Sequence, residues 1–252
     1  MNYTVITGAS VGLGDVFARR FAQEGRNLIL VARRKDKLDQ LAQELGQTCR
    51  VQVHALAMDL AKPGAGTELA RRISDAGWAV QGLINNAGFG DRGAFVELPI
   101  DRQLNMIQLN VGTLVELSHS LLPSMLLQPE PFIINVASTA AFQAGPRMAV
   151  YYATKAFVLS FSEALHEELK GKVAVSALCP GPTATEFASE AHMTNTMLFK
   201  VGVMSAQHVV DIGLRKRRRA IVVAGLLNRI TVFLTKLSPR SLTRKIAGLL
   251  QM

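Results

Sequence analysis

The chain has 252 residues, 49% hydrophobic and 19% charged. That is enough for one large α/β domain with a sizeable core, and too apolar for a disordered segment. The net charge of +9 is uneven: residues 200–252 carry eleven Lys/Arg and one acid, Asp211, a balance of +10, which leaves residues 1–199 at −1. The charge therefore marks a C-terminal surface and not a generally cationic, nucleic-acid-coating body. Cys49 and Cys179 lie far apart and match no metal or redox spacing, so they read as ordinary thiols and no metal is expected. No basic stretch followed by an apolar one opens the chain, and no long uninterrupted apolar run occurs. A cytoplasmic protein without a spanning helix is expected.

The β-branched run Tyr3–Thr7 predicts a first strand, and TGASVGLG (Thr7–Gly14) follows it at once. In a strand-to-helix turn of this kind, Gly8 would permit the tight turn, Gly12 a close backbone approach to a pyrophosphate, and Gly14 close helix–strand packing. Free N–H groups and the helix dipole there favour an anion. Val16, Phe17, Ala18, Phe21 and Ala22 give the following helix its apolar face, and Asn27–Ala32 reads as a second buried strand. Where NAD binding would place an acid, about 20 residues beyond the loop, the chain has Arg33, Arg34 and Lys35. A guanidinium can hold a 2′-phosphate that an acid would repel. NADP(H) is therefore expected as cofactor, with Arg33 the leading phosphate ligand and Arg34 beside it.

The pattern continues with a helix over Arg34–Leu45, a strand over Val51–Met58 closed by Asp59, a helix from about 63 to 76 and a strand over Gly82–Asn86. A long helix Asp101–Leu127, strand Pro131–Ser138, helix Ala149–Lys170 and strand Val173–Cys179 come next. Helix Ser205–Arg218 and strand Ala220–Ala224 close the series. Strand alternating with helix predicts a parallel sheet with helices on both faces, in one domain without linker or repeat.

Ser138 ends the fifth strand, and the helix after it carries Tyr151 and, four positions on, Lys155. That spacing puts phenol and ammonium on one helix face. A cation there is expected to lower the phenol pKa toward the range where it can trade protons with a substrate oxygen. The carboxyl edge of such a sheet, where Ser138 falls, is where ligands bind. Tyr152 is a neighbouring phenol, but only Tyr151 has a lysine four residues later.

TGASVGLG, Asp59-Leu60, NNAG (Asn85–Gly88), Asn110, Ser138, YYATK (Tyr151–Lys155) and PGPTAT (Pro180–Thr185) together resemble the short-chain dehydrogenase/reductase family over about residues 3–225. The resemblance implies a doubly wound Rossmann-like fold with a seven-stranded parallel sheet, and a homodimer or homotetramer. It implies that Tyr151 is the general acid/base, and that Lys155 lowers its pKa and holds the nicotinamide ribose. Ser138 would bind the substrate oxygen, and Asn110, in the long helix, would hold a water in the proton relay. Gly8, Ser10, Gly12, Leu13 and Gly14 would form the phosphate loop, and Asp59 and Leu60 would border the adenine. Asn86, Ala87 and Gly88 would pass along the cofactor, and Pro180, Gly181, Thr183 and Thr185 would surround its carboxamide end. Val11 stands where some NADP-preferring relatives carry a basic residue, so cofactor choice rests on Arg33 and Arg34.

The segment after PGPTAT corresponds to the family's variable substrate lid, about residues 185–204. It carries Phe187, Met193, Met197, Leu198, Phe199 and Met204, and Phe89, Phe142 and Met148 fall near the same site. Methionine-rich surfaces adapt to irregular apolar shapes, so a hydrophobic ketone, aldehyde or alcohol is the expected substrate, reduced with NADPH. A 3-oxoacyl-thioester reductase and a non-catalytic NADP(H)-binding sensor are the alternatives. Beyond residue 225, Leu226–Leu237 and Ser241–Leu250 are two apolar segments interspersed with Arg229, Lys236, Arg240, Arg244 and Lys245. They form a basic amphipathic extension suited to an oligomer contact, a lid over the cleft, or an anionic membrane surface.

Overall fold

Successive side chains of a strand point to opposite faces, and in the central strands both faces are buried, so each of these strands feeds two cores. Leu28 and Leu30 join Ile6, Ile84, Ile134 and Leu178 on one side of the sheet. Ile29 and Val31 join Val5, Leu83, Ile133 and Val175 on the other. The computed structural model describes residues 1–191 and 202–250. The strands are β1 (Asn2–Thr7), β2 (Asn27–Ala32), β3 (Val53–Ala57), β4 (Ala79–Asn85), β5 (Phe132–Val136), β6 (Ala174–Cys179) and β7 (Ile221–Val223). They form one sheet in the order β3-β2-β1-β4-β5-β6-β7, and every pairing is parallel. The chain winds outward from β1 in both directions, so a crevice opens at the carboxyl ends between β1 and β4.

Helices α1 (Gly12–Gln23), α2 (Lys35–Cys49) and α7 (Ala206–Arg215) supply Phe17, Phe21, Leu38 and Val209 to the first core. Helices α3 (Ala65–Asp75) and α5 (Thr113–Met125) supply Leu69, Ile73, Leu117 and Leu121 to the second. Burying one such side chain fully contributes on the order of 2 kcal/mol. Helix α6 (Ala149–Glu168) packs along β6. A row of buried amides and hydroxyls fixes α5 and α6 against the sheet. Asn85 Nδ2 donates to Ser118 Oγ (3.1 Å) and to Asn135 Oδ1 (2.8 Å), and Asn135 Nδ2 donates to Ser162 Oγ (2.9 Å).

The long helix expected over Asp101–Leu127 is not uniform. Helix α4 (Ile100–Ile107) passes into a five-residue π turn, Gln108–Gly112, before α5 begins. A π turn inserts one extra residue into the helical ladder, and its buried residue is Asn110.

After β7, Gly225 (φ 89°) turns the chain into α8 (Leu226–Leu237), and Ser238-Pro239 separates α8 from α9 (Arg240–Leu250). Helix α8 packs on the short turn Thr139–Phe142 that follows β5. Only Val232 of α8, and Thr243 and Ala247 of α9, are buried. Among the described residues no helix is long and apolar enough to cross a membrane.

Candidate active site

Six strand-to-helix connections meet at the carboxyl edge of the sheet and line one cleft of about 580 Å³. Its wall includes Gly8, Ser10, Gly12 and Leu13 after β1, Arg33 and Arg34 after β2, and Asp59 and Leu60 after β3. Asn86, Ala87 and Gly88 follow β4, Ser138 follows β5, and Pro180, Gly181, Thr183 and Thr185 follow β6. Tyr151 and Lys155 reach the same space from the first turns of α6. Two expected site residues, Gly14 and Asn110, do not line it.

Gly14 lies behind the loop. A Cβ built on it would stand 2.2 Å from the Gly8 carbonyl oxygen, so it serves backbone packing and not ligand contact. Gly8 and Gly12 hold φ of 67° and 61°, left-handed values that favour glycine. Asn86 secures the loop from the neighbouring strand, its Nδ2 donating to the carbonyls of Thr7 (2.9 Å) and Gly8 (3.2 Å). No side chain caps the N-terminus of α1, so the first amides of the helix are left for an anion in the cleft. This cradle fits a dinucleotide pyrophosphate.

At the β2 end Arg34 donates to Ser10 Oγ (3.2 Å) and pairs with Glu186 (2.9 Å), and Lys37 reaches the same carboxylate (3.3 Å). These two cations hold the Glu186 carboxyl below its ordinary range, the hydrogen bond from Arg34 contributing most. Arg33 is exposed and lines the cleft. Among the described residues no carboxylate pairs with it.

At the other end Lys155 is buried and its Nζ donates to the Val136 carbonyl (2.8 Å). The ammonium stands 5.8 Å from the centroid of the Tyr151 ring. Burial lowers the Lys155 pKa to about 8, opposed in part by Cys179. Tyr151 is also buried, and that pushes its phenol above the ordinary range, with a hydrogen bond to Ser138 pulling the other way and Tyr152 adding to the rise. The depression of the phenol expected from Lys155 is therefore not found; the phenol is shifted the other way. Loss of solvent outweighs a cation that is itself drawn toward neutrality. Ser138 also accepts from Ala140 N (3.1 Å), which fixes its hydroxyl at the head of the Thr139–Phe142 turn.

Asn110 lies buried in the π turn, and its side chain makes three hydrogen bonds within the protein. Its Oδ1 accepts from Phe89 N (3.1 Å), and its Nδ2 donates to Phe89 O (3.0 Å) and Thr154 Oγ1 (3.1 Å). The amide is committed to holding the Phe89 loop against α6.

Beside Tyr151 the cleft has an apolar wall. Phe89, Tyr152, Phe187 and Leu227 line it, with the Phe187 ring 5.5 Å from that of Tyr151. Met148 packs fully buried beneath the two tyrosines. Phe142 and Met204 were expected near this site, and neither lines the cleft. Phe142 packs against the Val158 cluster under the Lys236 ammonium, and Met204 bridges to Thr183 and faces Asn228. Met193, Met197, Leu198 and Phe199 lie outside the described residues. Asn228, Thr231 and Thr235, which the sequence reading left unassigned, bring one face of α8 into the cleft. Their spacing of three and four puts them on one polar strip of the helix. Among the described residues no group of three or more His, Cys, Asp or Glu could hold a metal ion.

This chain belongs to the short chain dehydrogenase family, whose model matches residues 2–196. It is therefore an oxidoreductase of a nucleotide-binding fold, in a family that acts on alcohols and ketones. It is 29% identical over 234 residues to the very-long-chain 3-oxoacyl-CoA reductase of Homo sapiens, across 90% of this chain and 74% of that protein. A structure reported for 7beta-hydroxysteroid dehydrogenase stereoselectivity matches with TM-score 0.88 at 25% identity, covering 98% of this chain and 96% of that one. A short-chain dehydrogenase from Sphingobium yanoikuyae in complex with NADPH matches with TM-score 0.81 at 32% identity, covering 96% of this chain and 98% of that one. Similar structures include a complex with NAD as well.

The buried lysine sets a pH expectation. Below about 8 Lys155 is charged and above it neutral, so kcat/KM for carbonyl reduction, which reports the free enzyme, is expected to fall as pH rises through that value. A profile flat to pH 10 would show that the Lys155 charge is not required.

Proposed function

We propose that this protein is an NADP(H)-dependent carbonyl reductase for hydrophobic ketones or aldehydes, with Tyr151 as its general acid/base. The observation that carries the reading is the meeting of Ser138, Tyr151 and Lys155 in a cleft with a phosphate cradle at one end and an apolar wall at the other. Gly8, Ser10, Gly12, Leu13, Asp59, Leu60, Asn86, Ala87, Gly88, Pro180, Gly181, Thr183 and Thr185 would hold the cofactor. Arg33, with Arg34, would take its 2′-phosphate. NADP(H), when bound in this cradle, would supply the hydride. Ser138 and Tyr151 donate toward the carbonyl oxygen and stabilise the developing alkoxide. Tyr151 then gives up its proton to complete the alcohol, and its raised pKa keeps that proton in place until the oxygen becomes basic enough to take it. Lys155, anchored on Val136, places its charge beside the resulting phenolate.

A panel of lipid-like and small polar carbonyls, each run with NADPH and with NADH, tests the whole reading. Reduction of the lipid-like members with NADPH is expected. A preference for small polar substrates would overturn the substrate class, and a preference for NADH the cofactor. Reduction of a 3-oxoacyl thioester ahead of simple ketones would favour the second reading, which the similarity to the 3-oxoacyl-CoA reductase supports.

A further inference from the structure

Helix α8 has two working faces. Asn228, Thr231 and Thr235 line the catalytic cleft, whereas Leu226, Ile230, Phe233 and Leu237 fall on one stripe on the far side of the helix. That stripe is bare: Leu226 is 71% exposed, Phe233 61% and Leu237 68%. Leu242, Ile246 and Leu249 of α9 add further exposed apolar surface.

Beside the stripe lies a second, separate cleft of about 240 Å³. Its floor is Ile221, Val222, Val223 and Val232, and its rim carries Lys216, Arg219, Arg229 and Lys236 next to Phe233. Among the described residues none of these four cations pairs with a carboxylate. Asp211 pairs with Arg20 and Glu130 with Arg218, and Glu163 of α6 forms no ion pair with any of the four among the described residues. Lys236 meets only the Phe142 ring, 5.3 Å away. Four like charges around one apolar-floored cleft repel one another unless an anion covers them.

We propose that the outer face of α8, with this four-cation cleft and the exposed apolar residues of α9, docks on an anionic phospholipid surface. Headgroup phosphates would sit in the cleft while Phe233 and Leu237 enter the acyl region. Charge complementarity favours this occupant over a second copy of the chain. A two-fold contact through the stripe would bring like-charged flanks together, because Arg229 and Lys236 border it and no acid follows Asp211. Docking in this way leaves the catalytic face of α8 turned toward the protein.

The test is flotation of the full chain with vesicles of phosphatidylcholine alone and of phosphatidylcholine mixed with phosphatidylglycerol. Binding to the mixed vesicles alone, weakening as salt rises, is expected. Each cation lost weakens attraction to an anionic surface about fivefold. The double variant Arg219→Glu/Arg229→Glu is therefore expected to lose at least about 25-fold in partition. Phe233→Ser/Leu237→Ser removes the apolar arm and is expected to release the protein independently of charge. Thermal melting shows that each variant is folded. Equal binding to both vesicle types, or retention of binding in both double variants, overturns the proposal. So does full competition by inorganic phosphate, which would mark a soluble-anion site, or self-association through Phe233 without vesicle binding.

Discussion

Tyr151→Phe is expected to lower turnover by about 10³-fold, the usual contribution of a positioned acid/base, while cofactor affinity stays within about twofold. The reason lies in how little else the substitution changes. Tyr151 is 7% exposed, its ring packs against Phe187 and Tyr152, and phenylalanine keeps all of that contact. What disappears is the hydroxyl, and with it the proton for the substrate oxygen. Steady-state kcat together with a fluorescence titration of NADPH separates the two effects. Turnover within tenfold of the parent would move the acid/base role elsewhere, and Tyr152 would then be the phenol to test. That outcome is disfavoured by packing, because the Tyr152 ring lies directly against Gly145.

Gly14→Ala is expected to weaken cofactor binding about 100-fold although Gly14 does not line the cleft. Its Cβ would lie 2.2 Å from the Gly8 carbonyl oxygen and 2.7 Å from Asn86 Nδ2. The first is backbone and the second already holds the Thr7 and Gly8 carbonyls, so neither can step aside without moving the phosphate loop. Misplacing a positioned binding group by about 1 Å costs on the order of two powers of ten. Calorimetric titration with NADP measures the loss, and a thermal melt detects any accompanying destabilisation. Gly25→Ala is the control for glycine removal, because no atom lies within 4 Å of its Cβ position. Its positive φ of 75° strains the turn without touching the loop.

The sheet was legible because its strands announce themselves. Runs such as Asn27–Ala32 are apolar at every buried position and are closed by turn or charged residues, and the structure keeps that strand's ends unchanged. The cleft was legible for the same reason: in a parallel sheet the residues that follow each strand are brought to one edge. Periodicity could not report where the helical period itself changes. Gln108–Gly112 has no proline, and its single glycine, Gly112, does not distinguish a π turn from a continuous helix; the fold discloses it, with Asn110 held against Phe89 and Thr154. Phe142 and Met204 show a second limit. Sequence placed them near the catalytic edge, but the direction in which a side chain leaves a short turn depends on what covers it. Helix α8 covers Phe142. Desolvation was also invisible: a lysine one turn from a tyrosine suggests an acidified phenol, until both prove to be buried.

The π turn at Gln108–Gly112 makes the helix between β4 and β5 longer by one residue than a regular path needs. Its flanks cannot share out that excess, since α4 abuts α6 while α5 is fixed against β4 and α3. Deleting one residue there would let the ladder close as ordinary α-helix and would relieve the irregularity. It would also swing residue 110 about 100° around the axis, away from Phe89 and Thr154. The segment thus stands as a compromise in which regularity is given up to keep one amide in place, the kind of local departure that clusters at working sites and trades stability for function.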